Sequence, residues 1–262
     1  MGDSGKNFSY LDMLASIGYA RHIGGKVATD RIIEKAGIGN NSNVLDIGCG
    51  QGRTPCRLAS EFGCRVTGID LMPRMVEQSQ ALARRSGLDG KVKFMQGDAR
   101  KLPFDDNSFD MVVVESVTIF VEDVNRALSE YYRVVKPSGV VCDNEVCITR
   151  ASQEQLKDDM HDLEAIFTAF SSKTDRGILM FEDWKEIYEG RFHSVDSTHY
   201  IADPKAEMEA KRVEGGFGAF TSMVKAMWLY ATNPGAKEII DTTRQMYKYV
   251  GHFGYGLFVA RK

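Results

Sequence analysis

The sequence has no excess of basic residues. Its 33 Lys and Arg stand against 36 Asp and Glu, giving a net charge of −3 and a pI near 6.0. Nucleic acid and an anionic membrane are therefore disfavoured as main partners, and only a local pair such as Arg84–Arg85 runs against that balance. Long apolar runs are also missing. No stretch approaches the roughly 18–20 apolar residues that span a bilayer, so no membrane span is expected. The first residues, MGDSGKNFSYLDML, lack the basic-then-apolar order of a signal peptide. Lys6 stands where a myristoylation motif needs Ser or Thr. A cytoplasmic protein is the resulting expectation. Cysteine is sparse and odd in number, with five at positions 49, 56, 64, 142 and 147 and no C-x2-C spacing. That pattern predicts reduced, buried thiols and no bound metal. Repeats, low-complexity segments and an evident linker are absent too.

What is present is a chain of 262 residues, 43% hydrophobic, which suffices for a large packed core. From residue 43 to about 147, apolar runs alternate with helical patterns. Strands are predicted over 43–47, 64–70, 91–98, 109–116 and 139–147, with helices over 53–62, 73–87 and 122–139. Strands that alternate with helices predict a mostly parallel, doubly wound α/β sheet covered on both faces. After residue 150 the rhythm changes. Segments 151–170, 181–190 and 204–249 read as helical, and 191–201 and 252–262 as two further strands, making seven. The expected organisation is N-terminal lid helices (1–42), an α/β core (43–150), a helical cap carrying the sixth strand (151–250) and a final sheet strand (251–262). Ligands of such sheets bind beyond the carboxyl ends of the strands, here Asp46–Gly52, Asp70–Met72, Gly97–Ala99 and Glu115–Val117.

The first of these ends is VLDIGCGQG, residues 44–52. A glycine-rich turn lets backbone approach a ligand closely. The P-loop pattern G-x-x-x-x-G-K-[ST] is missing. The dinucleotide pattern G-x-G-x-x-G fails as well, because the third glycine comes one residue early and Arg53 takes its place. Asp46 would repel a pyrophosphate, so a NAD-dependent oxidoreductase is disfavoured. Asp70 ends the second strand, where an acid can accept both hydroxyls of a ribose. Asp98 ends the third, where it can accept from an amino group. Three acids around one cleft suit a ligand with a ribose, an exocyclic amine, a positive centre and no phosphate. S-adenosylmethionine (SAM) has these features.

Four segments in order resemble the class I SAM-dependent methyltransferases, in particular their small-molecule, type 11-like members: VLDIGCGQG, GIDLMPRMVEQSQ (68–80), GDARKLPFDDNSFDMVVVES (97–116) and ALSEYYRVVKPSGVV (127–141). The resemblance spans about residues 20–147 and is weak after 150. It implies a Rossmann-like methyltransferase fold, SAM as cofactor and S-adenosylhomocysteine as product. It further implies that Asp46, Gly48, Gly50 and Gly52 line the methionine and ribose end, with Cys49 as a spacer. Asp70 would hold the ribose, Leu71 and Met72 would flank the adenine, and Asp98, between Gly97 and Ala99, would hold its amine. YARHIGG (19–25) resembles a leading lid element, from which Tyr19, Arg21 and His22 could reach the sulfonium or the methionine carboxylate.

Methyl transfer needs alignment, exclusion of water and, for some acceptors, a base. Glu115 follows the apolar run MVVV and should emerge in the cleft, as a base or as a cofactor or lid contact. His22 is the second candidate base. His193 and His199 are expected to lie at the surface or to pack in the core. A small-molecule acceptor is expected among residues 151–250, with Phe217, Phe220, Met223 and Trp228 walling its pocket; the same helix could instead serve a homodimer through the cap. A catalytically silent SAM-binding module remains the alternative. Metalloid methylation is disfavoured, because Cys142 and Cys147 are five apart on one strand and face opposite sides.

Overall fold

The computed structural model describes residues 8–18, 22–171, 178–203 and 221–262. Helix α1 (Tyr10–Ile17) begins in a capping box: Ser9 accepts from the backbone of Asp12, and the Asp12 carboxylate accepts from the backbone of Ser9. Helix α2 (Gly25–Ala36) follows. The sheet domain then runs β1 (Asn43–Ile47), α3 (Arg53–Glu61), β2 (Arg65–Asp70), α4 (Pro73–Arg85), β3 (Val92–Gln96) and β4 (Phe109–Glu115). A 3-10 turn, Thr118–Phe120, leads to α5 (Val124–Val134) and β5 (Val135–Cys147). Beyond these come α6 (Arg150–Gln155), α7 (Met160–Ser171), α8 (Phe181–Glu189) and β6 (Ser194–Ile201). Residues 221–232 form α9, followed by α10 (Pro234–Gln245), a 3-10 segment (Met246–His252) and β7 (Gly254–Arg261).

The seven strands lie in the order β3-β2-β1-β4-β5-β7-β6. All pairings from β3 to β5 are parallel, and β7 runs antiparallel to both neighbours. Chain order reverses between β1 and β4, so the switch-point crevice opens beyond their carboxyl ends. Alternation along the strands fills a core on each face. Leu45 and Ile47 join Leu128, Tyr131 and Trp184 from α5 and α8, whereas Val44 joins Ile32, Leu58 and Val76 from α2, α3 and α4. A third cluster, including Leu163, Ile166, Phe167 and Phe253, anchors α7 beside the sheet. No described helix is long and apolar enough to cross a membrane.

Two expectations need correction. The helix placed over 122–139 ends at Val134, and Val135 is already extended. Lys136 precedes Pro137, which disfavours helical backbone there. Residues 136–139 then bulge from the ladder, since Phe109 pairs with Val135 but Met111 with Val140. The single helix placed over 151–170 is two, α6 and α7. At the break, Asp159 accepts from Lys248 Nζ and Tyr249 hydroxyl, tying it to the 3-10 segment before β7. The cysteines agree with expectation. All five are free and buried, and Cys142 and Cys147 lie in the two opposite cores.

Candidate active-site cavity

A cavity of about 770 Å³ opens at the switch point. That is large within the roughly 300–1,000 Å³ of ligand pockets. Its floor is the turn after β1. Gly48 has φ +70°, and a Cβ there would lie 2.8 Å from Val117 Cγ1. Gly52 has φ +78°, and a Cβ would come within 2.7 Å of Phe94. Any other residue would be strained and would collide at both places.

Asp70 organises this turn. Its Oδ2 accepts from Gly50 N at 2.9 Å and its Oδ1 from Met72 N at 2.9 Å, so one carboxylate shapes both the loop and the start of α4. Burial pushes its pKa up. Asp46 is only 3% exposed, and its Oδ2 has no partner among the described residues. Burial, then the charges of Glu115 and Asp70, push its carboxyl well above the usual range. Arg57 on α3 also lines the cavity. Its Nε donates to Glu61 and one guanidinium nitrogen to Asp30, but Nη1 is buried with no partner among the described residues. Sequence reasoning missed Arg57, whose spacing from Glu61 reads as an exposed i, i+4 pair.

The adenine-side residues sit nearer the rim. Asp98 binds Arg100 through Nη2–Oδ2 at 2.8 Å, and that guanidinium lowers its pKa. Gly97, Ala99 and Met72 line the cavity beside it, and Leu71 lies half-exposed at its edge.

A strap crosses the other side. Ile23 N donates to Ser116 Oγ at 3.3 Å, and Asn144 Nδ2 donates to Ile23 O at 2.9 Å. His22 Nδ1 lies 3.2 Å from the same amide, and its Nε2 3.4 Å from Glu115 Oε1. Glu115 accepts from Thr29 Oγ1 and Thr54 Oγ1, each at 2.7 Å. Glu115 therefore joins α2, α3 and the strap to the end of β4. It is brought together with His22 as expected, but both its oxygens already accept hydrogen bonds within the protein.

Behind the wall lies a second, fully buried pair of acids on β5. Glu145 Oε1 accepts from Val117 N at 2.9 Å and Thr118 N at 2.6 Å, and Oε2 from Ile119 N at 3.3 Å. Asp143 Oδ2 accepts from Thr118 Oγ1 at 2.8 Å and from Tyr188 hydroxyl. Burial raises both, Asp143 to about 6. Asp143 Oδ1 has no hydrogen-bond partner among the described residues. The pair fixes the turn whose Val117 packs on Gly48.

Not every expected residue arrives. Tyr19, Arg21, Phe217 and Phe220 lie outside the described residues. Met223 and Trp228 do not wall the cavity. They are 53% and 64% exposed on α9, in one stripe with Val224 and Met227, while Ser222 and Leu229 form the buried side. Helical spacing revealed a face but not its direction. The far end of the cavity is built instead from α1, the 118–120 turn, α7 and the end of α10. His199 packs on Phe181, with ring centroids 5.6 Å apart.

A glycine turn at the switch point of a sheet in this order, ringed by acids, defines a Rossmann-like methyltransferase architecture. Comparison with known proteins supplies the family. A family model described as a methyltransferase domain matches residues 45–142. An uncharacterized protein of Haemophilus influenzae is 34% identical over 190 residues, covering 71% of this chain and 72% of its own. The chain belongs to the class I SAM-dependent methyltransferases. Sterol 24-C-methyltransferase of Pneumocystis carinii is 34% identical over 110 residues, or 42% of this chain, and the match spans only 29% of that protein. A SAM-dependent methyltransferase from Geobacter sulfurreducens, solved with S-adenosyl-L-homocysteine, shares the fold at TM-score 0.69 and 18% identity, over 97% of this chain and 98% of that one.

Proposed function

We propose that this protein transfers a methyl group from SAM to a small-molecule acceptor held in the same cavity. The observation that carries the reading is a pair of orphaned, buried polar atoms, an oxygen of Asp46 (Oδ2) and a donor nitrogen of Arg57 (Nη1). Buried polar groups seek partners. A ligand bearing an ammonium and a carboxylate answers both, and the methionine head of SAM carries that pair. The ribose hydroxyls then meet the remaining acceptor capacity of Asp70, and the adenine lies between Met72 and the Gly97–Ala99 turn, its amine toward Asp98.

When bound, SAM supplies an electrophilic methyl on a sulfonium that departs as a neutral thioether. The chain's work is to hold, align and keep out water. The strap of His22 and Ile23 closes one wall, and Glu115 pins it. A proton released by the acceptor passes to His22, and Glu115, 3.4 Å away, balances the charge. The cavity continues past the donor end, which favours transfer over silent SAM storage.

The test is calorimetric titration of SAM into wild type, Asp46→Asn and Arg57→Leu, followed by a labelled-methyl acceptor screen. Each variant should bind at least about tenfold more weakly, as expected for loss of a charged hydrogen bond. Unchanged affinity in both would remove the methionine head from this end.

A further inference from the structure

The cavity divides into two chemistries. Every charged side chain among its described lining residues belongs to α2, to the strand ends and α3, or to the Arg100–Glu122 pair at the rim. That pair is 40% and 63% exposed, so it faces solvent. The far end is different. Tyr10 and Leu14 of α1, Phe120 of the turn, Val146 of β5, Phe167 of α7 and Met246 face it. Tyr10 and Phe120 stack with centroids 5.9 Å apart. Thr243 is the one aliphatic hydroxyl among the described residues there.

A charged acceptor seated at this end would lose its hydration and find no described counter-charge, which is strongly unfavourable. An apolar body gains by leaving water. Resting on the reading that SAM fills the charged end, we infer that the methyl acceptor is an uncharged, largely apolar small molecule. Its body lies between α1, the 118–120 turn and α7, with the accepting atom toward the strap. On this reading phosphorylated bases and cationic amines bind less well than a neutral apolar body.

The test uses the full chain and 4-alkylphenols of increasing chain length as probes, titrated with and without S-adenosylhomocysteine. Phosphoethanolamine and n-butylamine serve as charged comparators, and SAM is titrated separately. Affinity should rise about fourfold per added methylene until the end is filled. Leu14→Asp should weaken the longer phenols at least about tenfold, since Leu14 is half-buried on the cavity wall. The chain-length series on wild type stands without the variant. Absent or flat phenol binding beside normal SAM binding overturns this inference alone, as does tighter binding of either charged comparator. Phenol binding without SAM binding overturns the proposed function and leaves the apolar end intact.

Discussion

Replacing Glu145 by glutamine tests whether this buried acid takes up a proton when the chain folds. The glutamine oxygen can still accept from Val117 N and Thr118 N, as Glu145 Oε1 does. Its amide can donate to Asp143 Oδ1, which lacks a partner among the described residues. The losses are the 3.3 Å bond to Ile119 N and one titrating group. The sign follows from burial. Asp143 and Glu145 both hold their protons more tightly folded than unfolded. Folding therefore takes up protons as pH rises from about 4 toward the raised folded values, and the pair's contribution to stability falls over that window. Each proton taken up costs about 1.4 kcal/mol per pH unit. The variant has one such group fewer. Relative to wild type its stability should fall less steeply with rising pH above about 5, by up to about 1.4 kcal/mol per pH unit. Urea unfolding across this range, at constant ionic strength, reads this directly. Parallel pH dependences for the two proteins would show that Glu145 takes up no proton on folding and would refute the reasoning.

Three further outcomes follow from the cavity. Gly48→Ala must adopt left-handed backbone, at about 1–2 kcal/mol, and displace Val117, so SAM affinity by titration should fall at least about tenfold; wild-type affinity would mean that the loop is loose. Asp70→Ala frees the amides of Gly50 and Met72, and urea melts should show a loss of about 2 kcal/mol even without ligand. An unchanged melt would make Asp70 a ligand contact only. Glu115→Gln should lower kcat roughly tenfold to hundredfold with SAM affinity nearly kept, and a wild-type kcat would leave Glu115 as a structural anchor alone.

The sheet was legible because its strands carry their own pattern. Val44 and Leu45 fall into opposite cores as alternation requires. The glycine turn, Asp46 and Asp70 were legible for a related reason, since each ends a strand next to the switch point. The strap was harder to read. Glu115 meets Thr29 across 86 residues, and Asn144 meets His22 across 122, and no local signal marks such pairs. Glu145 fell within the strand expected over 139–147 and was given no role, although its carboxylate holds three backbone amides of the turn before α5. On α9 the apolar stripe was visible, but it faces solvent, because periodicity carries no information about which neighbour a helix meets. The Val134–Val135 boundary failed since helical spacing continued into residues that Pro137 forces to extend.

The most direct measurement of the central claim is a calorimetric titration of the full chain with SAM, with NADH as comparator. One SAM site per chain and no heat from NADH is the predicted result, set by Asp46, Arg57 and the early third glycine. Tight NADH binding with no SAM binding would contradict the account.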